Sequence, residues 1–216
     1  MPSATNLYLD FEIDGSPPAR ALSVLAAVID AAPIASVLIR PAHDVPLNVE
    51  AARAIIAAVQ KNGIAALVAS SVDDASKLGA DGIHLPWSRD IVPQFKTLRH
   101  SAPAGTVIGA DAGRSRHDAM ELGEAGADYV AFGVPPHVED REKAAERQLD
   151  LIAWWSGLFE VPCVAFDVPD AGSAHLLSEA GADFVCVRLT SADIEADAIA
   201  RISEFSEALR MPEPAK

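Results

Sequence analysis

The feature that most constrains this chain is a strict alternation between two kinds of segment. Short apolar runs at residues 7–9, 37–39, 66–69, 82–85, 107–110, 129–132, 163–166 and 184–187 are separated by stretches in which apolar side chains recur at helical spacing, at 20–31, 48–60, 72–78, 89–100, 115–125, 142–155, 172–180 and 193–209. The runs are apolar throughout rather than at every second position, which fits strands covered on both faces, as in a parallel sheet flanked by helices. Parallel neighbours need crossover connections, and a helix after every strand supplies them. Eight such units in 216 residues predict an α/β chain forming one (β/α)8 barrel (TIM barrel) over residues 1–210, with a loose tail at 211–216. The alternative, a doubly wound open sheet, usually has fewer strands and a ligand-binding glycine turn after the first. Here that place reads Leu9-Asp10-Phe11-Glu12-Ile13-Asp14-Gly15, and no composition break suggests a second domain.

Local signals agree with this division. Ser115 stands before a charged first turn and an apolar stripe, with Gly126 as a left-handed stop, and Asn48 and Gly63 bracket an earlier helix in the same way. The triplet Gly-Ala-Asp recurs at 79–81, 126–128 and 181–183, each time directly before an apolar run. On a barrel these are helix-to-strand turns on the bottom face, where sequence features serve stability. Asp81, Asp128 and Asp183 are therefore expected to be structural, and chemistry is sought at the strand exits on the opposite face.

Composition narrows the classes of function. Half of the residues are hydrophobic, enough for a sizeable core. A formal net charge of -14 and a pI near 4.7 exclude a protein that works by neutralising phosphate backbones, so nucleic acid is not an expected partner. No run approaches the roughly eighteen apolar residues of a membrane span, and the first residues lack a basic start followed by an apolar stretch. A cytoplasmic protein acting on a small molecule is expected. Cys163 and Cys186 lie inside apolar runs without C-x-x-C spacing and are expected to be buried, reduced thiols.

The stretches LGADGIHL (78–85), VIGAD (107–111), GADYVAFG (126–133) and VPCVAF (161–166) are similar, in order and spacing, to the thiamine phosphate synthase family, including its thiazole tautomerase branch. The resemblance spans nearly the whole chain and implies a barrel enzyme. Its synthase reaction joins a hydroxymethylpyrimidine diphosphate to a thiazole phosphate and releases diphosphate. The diphosphate departs with the bonding electrons, the thiazole nitrogen attacks the stabilised methylene cation that remains, and Mg²⁺ sits on the leaving group. Magnesium wants carboxylate oxygens, and phosphates want cations, hydroxyls and glycine-rich turns.

Taken position by position, the resemblance maps unevenly onto the exits. Arg40 stands where the family has an arginine, followed by Pro41 and Ala42 instead of an acid and a lysine. Ala69-Ser70-Ser71 replaces Asn-Asp-Arg, and Asp90 meets the acid of the fourth exit only with a one-residue shift. Asp111 and Gly113 occupy the places of a serine and of the histidine on which the tautomerase branch relies. After Phe132-Gly133 the chain runs Val134-Pro135-Pro136-His137, and Arg141 stands near a phosphate-contacting lysine. Asp167-Val168 replaces a Gly-Gly pair that presents amides to phosphate, and Arg188 and Thr190 stand where small residues are usual.

These exits supply the candidates. Asp111, Asp167 and His84 are candidate catalytic residues; Arg40, His137, Arg141 and Arg188 are candidate ligand contacts; Asp90 is the candidate Mg²⁺ ligand. Each has a structural alternative. Arg40 and Arg188 could pair with Asp111 and Asp167, His84 could organise its turn, and the Trp154-Trp155 pair could be core or an oligomer surface. Three readings stay open: a synthase-type transferase; a diverged barrel without that reaction that binds or transforms another small molecule; and a non-catalytic regulatory or scaffold subunit whose apolar helices form a homo-oligomer, which predicts an empty or plugged barrel top.

Overall fold

The structure is a computed structural model and describes residues 5–15, 17–69, 71–134 and 138–210. Its strands and helices alternate without exception: β1 (Asn6–Ile13), α1 (Pro18–Ala31), β2 (Ile34–Pro41), α2 (Val49–Lys61), β3 (Ala65–Val68), α3 (Val72–Leu78), β4 (Gly82–Leu85), α4 (Ile91–Ser101), β5 (Val107–Asp111), α5 (Arg116–Glu124), β6 (Tyr129–Phe132), α6 (Arg141–Ser156), β7 (Cys163–Ala165), α7 (Ala171–Glu179), β8 (Phe184–Thr190) and α8 (Glu195–Ala208). The eight strands close in sequence order, with β8 pairing in parallel to β1. This is the expected (β/α)8 barrel. The expected tail at 211–216 lies outside the described residues.

Three strands exceed their apolar runs by three residues or more. β1, β2 and β8 continue through Asp10, Glu12, Arg40 and Arg188, because opposite charges on neighbouring strands satisfy one another inside the ladder. A window of continuous apolar character ends where such a residue begins, so it stops short of the true strand.

The Gly-Ala-Asp turns are a repeated clamp. Gly79, Gly126 and Gly181 adopt φ of 76°, 88° and 100°, a left-handed conformation that glycine enters without a Cβ clash. The following Asp then grips the start of the preceding strand with two bonds. The N–H groups of Asp81, Asp128 and Asp183 donate to the carbonyls of Ala66, Ile108 and Cys163, and their carboxylates accept from the N–H of the same three residues at 2.7–2.8 Å.

Two apolar compartments result. The larger lies between strands and helices and includes Trp155, which is fully buried, stacks on Phe159 at 4.1 Å and donates its ring N–H to the Val161 carbonyl. Trp155 is therefore core, and Trp154 packs edge-on against it. The smaller fills the barrel lumen with Tyr8, Leu38, Leu67, Tyr129, Val164 and Cys186 among others. Gly109 makes room there: a Cβ on it would lie 1.9 Å from the Tyr129 ring. Cys163 and Cys186 are free and buried, and burial pushes both thiols up, Cys163 to about 12. Among the described residues no helix is long and apolar enough to cross a membrane.

Candidate active site at the barrel mouth

Alternation along the strands decides which side chains reach the mouth. Tyr8, Leu38 and Cys186 point into the lumen, so Asp10, Arg40 and Arg188, two residues further along the same strands, face inward one layer nearer the exits. Asp10 is 1% exposed and holds both cations: its Oδ1 accepts from Arg40 Nε at 2.7 Å, its Oδ2 from Arg188 Nε at 2.8 Å. Arg40 Nη1 also meets Glu12 at 2.6 Å, and Arg188 Nη2 meets Asp167 at 3.2 Å. A charge chain thus runs Glu12, Arg40, Asp10, Arg188, Asp167 across β2, β1, β8 and the exit of β7. Burial works against the Arg188 charge, but Asp10 and Asp167 outweigh it and hold its pKa above the ordinary value.

Asp167, the last member of this charge chain, and Asp111 both lie against the exit of β6. Asp111 accepts from the Gly113 N–H at 2.7 Å, and Asp167 accepts from the Val134 N–H at 3.1 Å. Burial raises the pKa of Asp111 from 3.8 to about 7, against the pull of the Gly113 N–H and with repulsion from Asp167. Burial also raises Asp167, opposed chiefly by Arg188. Asp167 has a φ of 55°, a left-handed backbone that a non-glycine residue adopts uncommonly.

His84 stands at the floor. Its ring stacks on Phe166 at 4.8 Å, and its Nδ1 is 2.9 Å from the Tyr129 hydroxyl, which is in turn 2.9 Å from the Tyr8 hydroxyl. Burial lowers its pKa to about 4, with Asp10 opposing, so at neutral pH the imidazole is uncharged. With Trp87, Pro86, Ala69 and Leu38 these groups enclose a cavity of about 310 Å³. That volume falls at the lower end of the range for small-molecule sites. A wider groove of about 850 Å³ lies outside, along α3 and α4, and gathers none of these charged pairs.

Of the residues expected from sequence, Arg40, His84, Asp111, Asp167 and Arg188 converge on this cavity. Arg141 does not line it; the first residue of α6, it sends Nη1 to the Val134 carbonyl at 3.1 Å and lowers the pKa of Asp167 through its charge. Asp90 is exposed at the N-cap position of α4, away from the cavity lining. His137 lies outside the described residues. Sequence reasoning missed Asp10, Tyr8, Tyr129 and Trp87. A signal for Asp10 existed: an acid inside an apolar strand is expensive unless paired, and the inward register Tyr8-Asp10-Glu12 places it beside Arg40 and Arg188.

The residues do not fit a resident Mg²⁺. Magnesium needs free carboxylate oxygens. Asp10 is committed to two arginines, Asp111 and Asp167 to backbone amides, and no group of three or more His, Cys, Asp or Glu among the described residues is arranged to hold a metal. The Asp90 expectation therefore finds no companion ligand.

The sequence model described as thiamine monophosphate synthase matches residues 12–190, a span that holds every mouth residue except Asp10. A thiamine-phosphate synthase of Rhodospirillum centenum is 33% identical over 190 residues, covering 86% of this chain and 89% of that protein. One from Hyphomonas neptunium is 38% identical over 144 residues, or 67% of this chain, and this match spans 64% of that protein. The same barrel is seen in a thiamine phosphate pyrophosphorylase from Pyrococcus furiosus, with a TM-score of 0.71 at 20% identity over 94% of this chain and 95% of that one. Agreement of this extent settles kinship: the chain belongs to the thiamine monophosphate synthase family.

Proposed function

We propose that the barrel is a transferase of the thiamine phosphate synthase type, joining a hydroxymethylpyrimidine diphosphate to a thiazole within the mouth cavity. The observation that carries this reading is the pairing of family membership over residues 12–190 with two inward arginines, Arg40 and Arg188, on either side of Asp10. A diphosphate meeting them gains two guanidinium partners, which bind phosphate through forked N–H donors. Departure of the diphosphate leaves positive charge on a methylene carbon, and the Asp167 carboxylate is placed to stabilise it, since preformed charge directed at a transition state lowers the barrier without reorganisation. The uncharged His84 ring and Phe166 give the pyrimidine a planar neighbour, and Asp111, near neutrality, can donate or accept a proton at the heterocycle. Such a biosynthetic reaction on phosphorylated metabolites suits a cytoplasmic enzyme.

A second reading rests on one specific observation: both inward arginines already pair with Asp10 through Nε, and Asp167 already takes the Val134 amide at the β6 exit. It holds that the barrel has left synthase chemistry and uses Asp111, Asp167 and His84 on another small molecule. Purified protein incubated with the pyrimidine diphosphate and a thiazole acceptor, with and without Mg²⁺, separates the two. The transferase reading expects diphosphate release and a coupled product, reduced at least tenfold by Arg40→Ala. No product at high enzyme concentration, together with failure to rescue a thiamine-requiring strain, rejects it in favour of the second.

A further inference from the structure

Two carboxylates sit against the exit of β6. The Val134 N–H donates to Asp167, and the neighbouring Gly133 N–H draws down the pKa of Asp111. The two carboxylates press on the same unit: a Cβ on Gly133 would lie 2.7 Å from Asp167 Oδ2 and 3.3 Å from Asp111 Oδ2. The remaining Asp167 oxygen takes Arg188 Nη2, and Asp111 Oδ1 takes the Gly113 N–H. Every donor seen on this arc thus already faces a carboxylate oxygen. A phosphate arriving here would have to displace those oxygens and sit against their charge.

We propose that Asp111 and Asp167 are specificity-determining residues that exclude a phosphate ester from the β5–β7 side of the mouth and select an acceptor whose group there is a hydrogen-bond donor, a hydroxyl or an amine. The inference rests on the transferase reading and names the class of its second substrate. A hydroxyl offers its proton to a carboxylate oxygen without displacing it from the amides, whereas a phosphate brings only acceptors and negative charge to a site already supplied with both. Discrimination comes from the group left unpaired as much as from the contact made.

Binding of hydroxyethylthiazole and of its phosphate ester to the full chain, measured by calorimetry at pH 8.5, tests this directly. The alcohol should bind at least tenfold tighter than the ester. In Asp167→Gly, the ester should gain at least tenfold relative to the alcohol; glycine suits the φ of 55° at this position, and a melting curve confirms that the variant is folded. An ester that binds the native protein as tightly as the alcohol, a preference unchanged in Asp167→Gly, or no binding of either probe would overturn the proposal. The coupling assay run with both acceptors keeps the two claims apart. Preference for the alcohol without product defeats the reaction and leaves the acceptor class standing, and product made from a tightly bound ester does the reverse.

Discussion

Asp111 retains its proton up to about pH 7 because burial disfavours the charged form, with the Gly113 N–H pulling the other way and Asp167 adding repulsion. An acid whose folded pKa lies above its unfolded one binds more protons folded than unfolded between the two values. Stability therefore falls as pH rises from about 4 to about 7, and Asp167, also raised, adds in the same direction. Asp111→Asn removes the larger contribution. Urea midpoints at pH 5 and pH 7.5 should show the variant gaining on the native protein at the higher pH, and a difference that stays constant contradicts the assignment. His84 acts in the opposite sense chemically: held uncharged by burial, it is a hydrogen-bonding ring through this range and not a cation.

At the scale of elements, the strands are fixed at their two ends by different devices. The bottom ends of β3, β5 and β7 are pinned by the Gly-Ala-Asp clamps, legible in the sequence because a left-handed glycine and an acid at fixed spacing form a local motif. Asp128→Ala leaves the Ile108 N–H and the Arg99 guanidinium without their shared carboxylate. With Asp128 partly exposed, the expected loss is about 1–2 kcal/mol in urea unfolding, from the unsatisfied backbone donor. No loss would mean that the clamp is redundant with the ladder. The top ends were less legible. Arg40, Asp111, Asp167 and Arg188 could be picked out because they follow an apolar run. Asp10 follows the 7–9 run in the same way, but its role was harder to see because its partners are 30 and 178 positions away in the chain.

For the whole molecule, the lumen links the site to the fold. Tyr8, Tyr129 and His84 form one hydrogen-bonded chain from the barrel interior to the mouth, and Gly109 provides the space in which the Tyr129 ring lies. Gly109→Ala drives a methyl group into that ring and should destabilise the barrel by about 1–3 kcal/mol through overpacking. For a chain of this size a loss of that order lowers Tm by roughly 2–12 °C. An unchanged Tm would show that the lumen can repack. The same substitution shifts Tyr129 away from His84, so the imidazole resonances in an NMR spectrum report whether fold and site are coupled.

The sequence by itself determined the architecture, because the alternation of apolar runs and amphipathic stretches is local and repeats along the chain. It also marked the bottom turns and the exits where chemistry belongs, and its motifs pointed to the family to which the chain belongs. Only the tertiary structure decided how the mouth is charged. Closing β8 onto β1 brings Asp10 between Arg40 and Arg188, and the exits of β5 and β7 bring two carboxylates onto the amides of β6. A carboxylate binds whatever donor lies within hydrogen-bond reach in space, so the neutralisation of these charges is set by barrel closure and not by their order in the chain.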